Sequence, residues 1–346
     1  MNHREERRDL FRSLVADAVL AASSHNTQPW RFLFLDDGIR ILPDFTRRCP
    51  VVDPDDHHLY ASLGCAAENL VVSAASKGWD ATVEVRSSGG AHHVDVLLRP
   101  AVPVPCALAR AIPERQCTRA EYDGRPVPLE ELRAIEGAAL GEGVAPILIT
   151  EPARLAQVAD WVAQGNEIQL RDPRWRRELV DWIRFNEREA ARSRDGLWSR
   201  TSGNPEMPRV LSRLLLPLVL TPRSQNRKDL RWITGSSGVL ILVSEADDVR
   251  HWVEAGRCYQ RFALQATALG ICNAFINPPV EVPVLRSQFS SWLGLGSGRP
   301  DLVVRFGYGP AMPRSLRRPV EEVLLEGDRN EGDPRGEPGR EEEDGR

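Results

Sequence analysis

Two stretches of the chain share one pattern of small, apolar and polar positions. Residues 63–79 and 255–271 align without gaps at an offset of 192 (256 − 64), so that Gly64 pairs with Gly256, Leu70 with Phe262, Ala74 with Ala266 and Gly78 with Gly270. Each stretch predicts an amphipathic helix stopped by a glycine. Apolar strands are expected after each helix, at 81–85 and 274–276. The flanks agree: 31–35 precedes the first helix as 238–243 precedes the second, and 94–98 follows the first as 302–306 follows the second. Each half therefore reads strand, helix, strand, strand. Short side chains such as Ala66, Ala67, Ala74, Ala263 and Ala266 suit close packing of the two helices about a pseudo-twofold axis.

The remaining pattern sets boundaries. A helix-like run over 10–22 stops at two serines, and a further helix is expected at 129–140 with a strand at 147–150. The Pro-rich segment 100–105 closes a first half, 1–105; the second half is 106–325. Within it, about 165–232 has no counterpart in the first half. This insertion holds Trp175, Trp182 and Trp198 and reads as a helical lid. Residues 326–346 lack an apolar anchor and are expected to be disordered.

Composition narrows the class. The chain has 346 residues, 42% hydrophobic and 27% charged, with a net charge of −4. This balance leaves no nucleic-acid or membrane field. The start is polar, without the apolar stretch of a signal peptide. Six cysteines occur, none spaced as a metal motif. A cytoplasmic protein without a bound metal is expected.

The chemistry concentrates in three segments. Ser23-Ser24-His25-Asn26-Thr27-Gln28-Pro29-Trp30 puts hydroxyls and amides just past a helix end, where they can bond a flat heteroaromatic ligand. Arg115-Gln116-Cys117-Thr118-Arg119 sets two guanidiniums four apart, suited to an anion. A second basic cluster, Arg314-Ser315-Leu316-Arg317-Arg318, follows the last strand.

The Ala-Ser-Ser-His-Asn-Thr-Gln-Pro-Trp-Arg-Phe segment resembles the flavin-contacting loop of the nitroreductase family, closest to its Acg-like branch, in which one long chain imitates the usual dimer. The likeness covers about residues 10–322 and is weak between about 150 and 232. Residues 115–119 resemble the family's opening Arg-Arg-Ser-x-Arg motif in shifted form, and 314–318 its C-terminal basic loop.

The resemblance implies an α+β (α/β) nitroreductase-like fold. It also implies one FMN site per chain, built across the two halves. Its expected contacts are Ser23, Ser24, His25, Asn26, Gln28, Arg115, Cys117, Thr118, Arg119, Asn277, Arg314, Arg317 and Arg318. Near the flavin N5 the family uses a backbone N–H. Pro278 and Pro279 have none, which leaves Asn277 or Val280. No side chain is assigned a catalytic role. Hydride transfer from NAD(P)H to a small organic acceptor is the implied activity. The alternative is a protein that stores or sequesters FMN beneath a closed lid. The chain is expected to be a monomer with dimer-like halves, further dimerisation being left open.

Overall fold

The computed structural model describes residues 3–325; the tail expected to be disordered lies outside them. The first sheet comprises β1 (Trp30–Phe34), β2 (Gly38–Pro43), β3 (Trp79–Ser88) and β4 (Ala91–Pro100), in the order β1-β2-β4-β3. The second comprises β5 (Val144–Ile149), then β8 (Gly238–Ser244), β9 (Cys272–Phe275) and β10 (Arg299–Gly307), in the order β5-β8-β10-β9. Between β5 and β8 a small parallel pair forms from β6 (Ile183–Arg184) and β7 (Leu197–Trp198). Every pairing within the two large sheets is antiparallel. The chain is thus α+β, with two sheets of one topology.

This topology corrects one expectation. The flanking strands had aligned 31–35 with 238–243. By sheet position, however, β1 matches β5 and β2 matches β8. The strand β2 was missed because its alternation is short and close to β1, across a turn of only a few residues.

The helices His57–Ser76 and Val249–Ala268 cross at the centre. Their glycines explain the close approach. A Cβ on Gly64 would lie 2.8 Å from the Val253 carbonyl carbon, and one on Gly256 would lie 2.7 Å from that of Ala61. Leu14, Trp30, Phe32 and Leu70 share one apolar core with Tyr259, Phe262 and Phe306, so both sheets pack on the same helix pair.

Helices Pro152–Arg171, Pro173–Trp182, Arg209–Val219 and Pro222–Thr234 all lie between β5 and β8, where the first half has only a tight turn. The first and last of these share a second core with Ile241 of β8 and Phe289. Among the described residues, no helix is long and apolar enough to cross a membrane.

Candidate functional site

The helix His3–Ala18 ends before Ser23 and Ser24, and the chain enters β1 only at Trp30. Between them, His25, Asn26 and Gln28 adopt left-handed backbone angles, with φ of 48°, 55° and 53°. Such angles cost energy in non-glycine residues and persist where surroundings enforce them. Here the enforcing bonds cross the molecule. Asn26 Nδ2 donates to Gly196 O (3.0 Å) and Leu316 O (3.2 Å). Gln28 Nε2 donates to Arg194 O (2.9 Å), and its Oε1 accepts from the Arg318 N–H (2.8 Å). The loop is therefore clamped between the inserted segment and the C-terminal basic loop.

This clamped loop borders two joined cavities. The larger, about 290 Å³, is lined by Ser23, Ser24, His25, His58, Ser62, Arg119, Asn277 and Glu281, among others. The smaller, about 90 Å³, is lined by Ser23, Asn26, Arg115, Cys117, Arg119, Arg314 and Arg317. Ala22, Ser23, Arg119 and Phe275 border both. The joined space has a broad end and a narrow, strongly basic end.

The basic end is electrostatically incomplete. Arg115 is 5% exposed. Its NH2 nitrogen donates to Leu20 O, but its Nε has no partner. Arg317 donates to the carbonyls of Leu20 and Ala21, and its Nε is also unpartnered. The Arg119 guanidinium has no hydrogen-bond or ion-pair partner among the described residues. Burial, followed by the charge of Arg115, pulls the Arg317 pKa down to about 9. Three guanidiniums thus converge on 90 Å³ without a carboxylate, where an anion would relieve both repulsion and unmet hydrogen bonds.

Not every expected contact faces the cavities. Gln28 and Arg318 are bonded to each other and to neighbouring chain. Thr118 is buried with its N–H on Asn273 O, alongside β9. None of these three lines either cavity. Arg314 lines the narrow end but is already paired with Glu114.

At the broad end, the Val280 N–H is committed to Asn277 O (2.8 Å). The Asn277 N–H has no partner among the described residues, so of the two expected candidates only Asn277 stays available. Its side chain is fixed: Oδ1 accepts from Val303 N–H (2.9 Å) and Nδ2 faces His58 Nε2 at 3.3 Å. Burial, then the charges of Arg119 and His58, lowers the His25 pKa to about 4, so this ring is neutral at pH 7.

The sequence did not single out the far wall of the broad end. Helix Pro152–Arg171 supplies Val162, Asn166 and Gln169; helix Pro222–Thr234 supplies Gln225 and Asp229; Trp175 closes over them. Asp229 accepts from Asn166 and Gln225, and burial raises its pKa. Glu281 accepts from Gln169 (2.7 Å), and burial raises its pKa too. No motif marks these residues, since they lie in the segment with least resemblance.

Asp53, His57 and His58 form a buried group close enough to share a metal ion. Asp53 is otherwise engaged: its two oxygens accept the His58 and Leu59 N–H groups (3.0 Å each). That is helix-capping geometry, and the group reads as a cap on helix His57–Ser76.

The helix repeat allows the cavity face of the first central helix to be compared with the matching face of the second. His58, Ala61, Ser62 and Cys65 face it from the first central helix. Adding 192 gives Arg250, Val253, Glu254 and Arg257 in the second. There Arg257 binds Glu68 (2.9 Å) and Glu254 (2.7 Å), and Arg261 binds Glu68 (3.0 Å) and Glu254 (3.2 Å). Arg261 also donates to the Ala138 and Leu140 carbonyls. The matching face of the second central helix thus carries an ion cluster tied to the loop at Ala138 and Leu140.

No protein-family model matches the chain. It is similar to a Mycobacterium tuberculosis H37Rv protein provisionally named NAD(P)H nitroreductase Rv3131, with 28% identity over 330 residues and 91% of each chain covered. It is also similar to the same organism's provisionally named NAD(P)H nitroreductase acg, with 24% identity over 328 residues, covering 91% of this chain and 95% of that one. Among solved structures, the FMN-dependent nitroreductase NfnB of Mycobacterium smegmatis, in complex with NADPH, aligns with a TM-score of 0.43 and 16% identity. That alignment covers 64% of this chain and 98% of NfnB. A nitroreductase with bound FMN from Bacteroides fragilis aligns at 0.36 and 14%, covering 68% and 100%. The likeness to nitroreductases of the Acg-like branch is thus supported over nine-tenths of the chain, at matching length.

Proposed function

We propose that the chain is an FMN-binding, nitroreductase-like oxidoreductase that uses NAD(P)H to reduce a small organic acceptor. The observation that carries this reading is the convergence of Arg115, Arg119 and Arg317 on the narrow cavity without a counter-ion. That end fits a phosphate. The broad end, with the Asn277 N–H and the Ser24 side chain at its edge, fits a flat ring system. FMN, when bound, would supply hydride transfer between nicotinamide and acceptor.

The chain's own residues divide the remaining work. Arg115, Arg119 and Arg317 hold the phosphate. Ser23, Ser24 and the Asn277 N–H orient the ring. His25, being neutral, adds no charge beside it. Trp175, Leu179, Leu197 and Leu220 of the inserted segment keep water out. In this reading the halves 1–105 and 106–325 act as the two subunits of a dimer, and the insertion is their lid. Six unpaired cysteines suit a reducing cytoplasm.

One observation favours a second reading, an FMN-storing protein with little turnover. The broad cavity, about 290 Å³, sits at the small end of ligand pockets and has Trp175 of the inserted segment in its wall. Mixing the purified, flavin-loaded protein with NADPH without oxygen separates the two. Rapid loss of the oxidised flavin colour supports the oxidoreductase. Colour that persists with NADPH and NADH alike supports storage.

A further inference from the structure

Cys117 stands where the resembling motif has a serine, and it is half-buried, unlike the buried Cys49, Cys65 and Cys258. Its sulfur lines the narrow cavity, 3.9 Å from an Arg115 NH1 nitrogen and 3.5 Å from the Tyr259 hydroxyl. The Tyr259 hydroxyl also bonds Asn273 Oδ1 (3.0 Å), which fixes it beside the sulfur, and its bond to the sulfur favours the thiolate. Arg115, only 5% exposed and with Nε unpartnered, marks the same space as one built for an anion.

Burial alone would push the Cys117 thiol up. The charges of Arg115 and then Arg119 outweigh it and hold the thiol below its ordinary value. Burial instead raises Cys49 and Cys65, and carries Cys258 up to about 12.

Resting on the FMN reading above, we propose that Cys117 is a nucleophilic thiol exposed to small electrophiles and peroxides while the anion pocket is empty, and shielded once a phosphate fills it. An empty pocket leaves the three arginines to stabilise the thiolate, which is the reactive form. An occupying phosphate takes over those arginines and covers the sulfur. With hydrogen peroxide, the thiolate sulfur attacks one oxygen. An S–O bond forms, the O–O bond breaks, and hydroxide leaves and is protonated by solvent. Sulfur is oxidised by two electrons to the sulfenic acid, and the peroxide is reduced. The added oxygen then occupies part of a 90 Å³ space. Oxidation before loading therefore blocks the phosphate end, and loading before oxidation protects it.

The test uses the full-length chain freed of flavin, with iodoacetamide as probe and peptide mass spectrometry at all six cysteines. At pH 7, Cys117 is expected to be alkylated at least about tenfold faster than Cys106 and Cys272. FMN is expected to slow it at least about tenfold and riboflavin to leave it fast, as follows from a shield made by phosphate. Alkylation of Cys117 no faster than Cys106 and Cys272 overturns the proposal. FMN that binds without slowing alkylation also overturns it and leaves the cofactor reading intact. Fast alkylation slowed by inorganic phosphate, with FMN failing to bind at all, upholds the phosphate-shielded thiol and overturns the cofactor reading. Peroxide given before FMN should lower flavin uptake in the wild type but not in Cys117→Ser or Cys117→Ala. Equal loss in all three contradicts it.

Discussion

Gly64 and Gly256 each press against the backbone of the opposite central helix, Gly64 on Val253 and Gly256 on Ala61. The two contacts interchange under the 192-residue offset, since 61 + 192 = 253 and 64 + 192 = 256. That reciprocity is what a pseudo-twofold relation between the two helices requires. Gly256→Val would force two backbones apart. We expect it to destabilise the protein by about 3 kcal/mol, read from denaturant midpoints. A change within about 0.5 kcal/mol, the range of surface substitutions, would show that the helices do not need this approach.

The mate of the cavity offers a second check. Glu68 is nearly buried between Arg257 and Arg261. Glu68→Gln leaves both guanidiniums short of a counter-charge and is expected to cost about 3 kcal/mol. Flavin content should be unchanged, because none of Glu68, Glu254, Arg257 and Arg261 lines either cavity. Loss of flavin with retained stability would reverse this assignment.

The basic residues should separate by partner. Arg115→Ala or Arg317→Ala is expected to weaken FMN binding by about 2 kcal/mol, the scale of a charge-assisted hydrogen bond. Riboflavin, which lacks the phosphate, should bind almost as before. Arg318→Ala should leave FMN affinity nearly unchanged, since its guanidinium faces Glu322 and lines neither cavity. Titration of each variant with both ligands decides the matter; equal losses for the two ligands would remove the phosphate role.

Acid should expose His25. Its folded pKa is about 4, against an ordinary 6.5, because burial opposes its charge. Well above pH 6.5 neither state is protonated there, and the group has no effect on stability. Between 6.5 and 4 the unfolded chain binds a proton that the folded chain refuses, so stability falls as pH falls. His57 is shifted the same way by burial, and His58 the opposite way because Asp53 outweighs burial. The difference between wild type and His25→Asn isolates the His25 part. It should grow to about 2 kcal/mol across that window, discounted because the ring edges a cavity. A pH-independent difference would count against a buried neutral His25.

Much of this site was legible in the sequence, for identifiable reasons. The Ser23-Ser24-His25-Asn26 loop and the Arg115-to-Arg119 segment are continuous in sequence and carry recognisable motifs, and the structure brings Ser23, Ser24, His25, Arg115, Cys117 and Arg119 to one space. Which side chains within a motif face inward was not legible. Gln28, Thr118 and Arg318 turn to neighbouring backbone, a choice made by tertiary hydrogen bonds. Nor could the sequence place Asn166, Gln169 and Asp229 at the far wall. They lie in the 165–232 segment, which read as a helical lid without naming any inward-facing side chain, and only the fold shows which of them line the cavity. The helix repeat was visible because small residues recur at fixed spacing; β2 was not, because a short strand beside a tight turn leaves little periodicity.

The most direct measurement is the flavin content of the purified, full-length protein, extracted and quantified after saturation with FMN. The account predicts about one FMN per chain, retained through gel filtration in the wild type and released from Arg115→Ala. A wild-type chain that neither carries nor takes up FMN would contradict it.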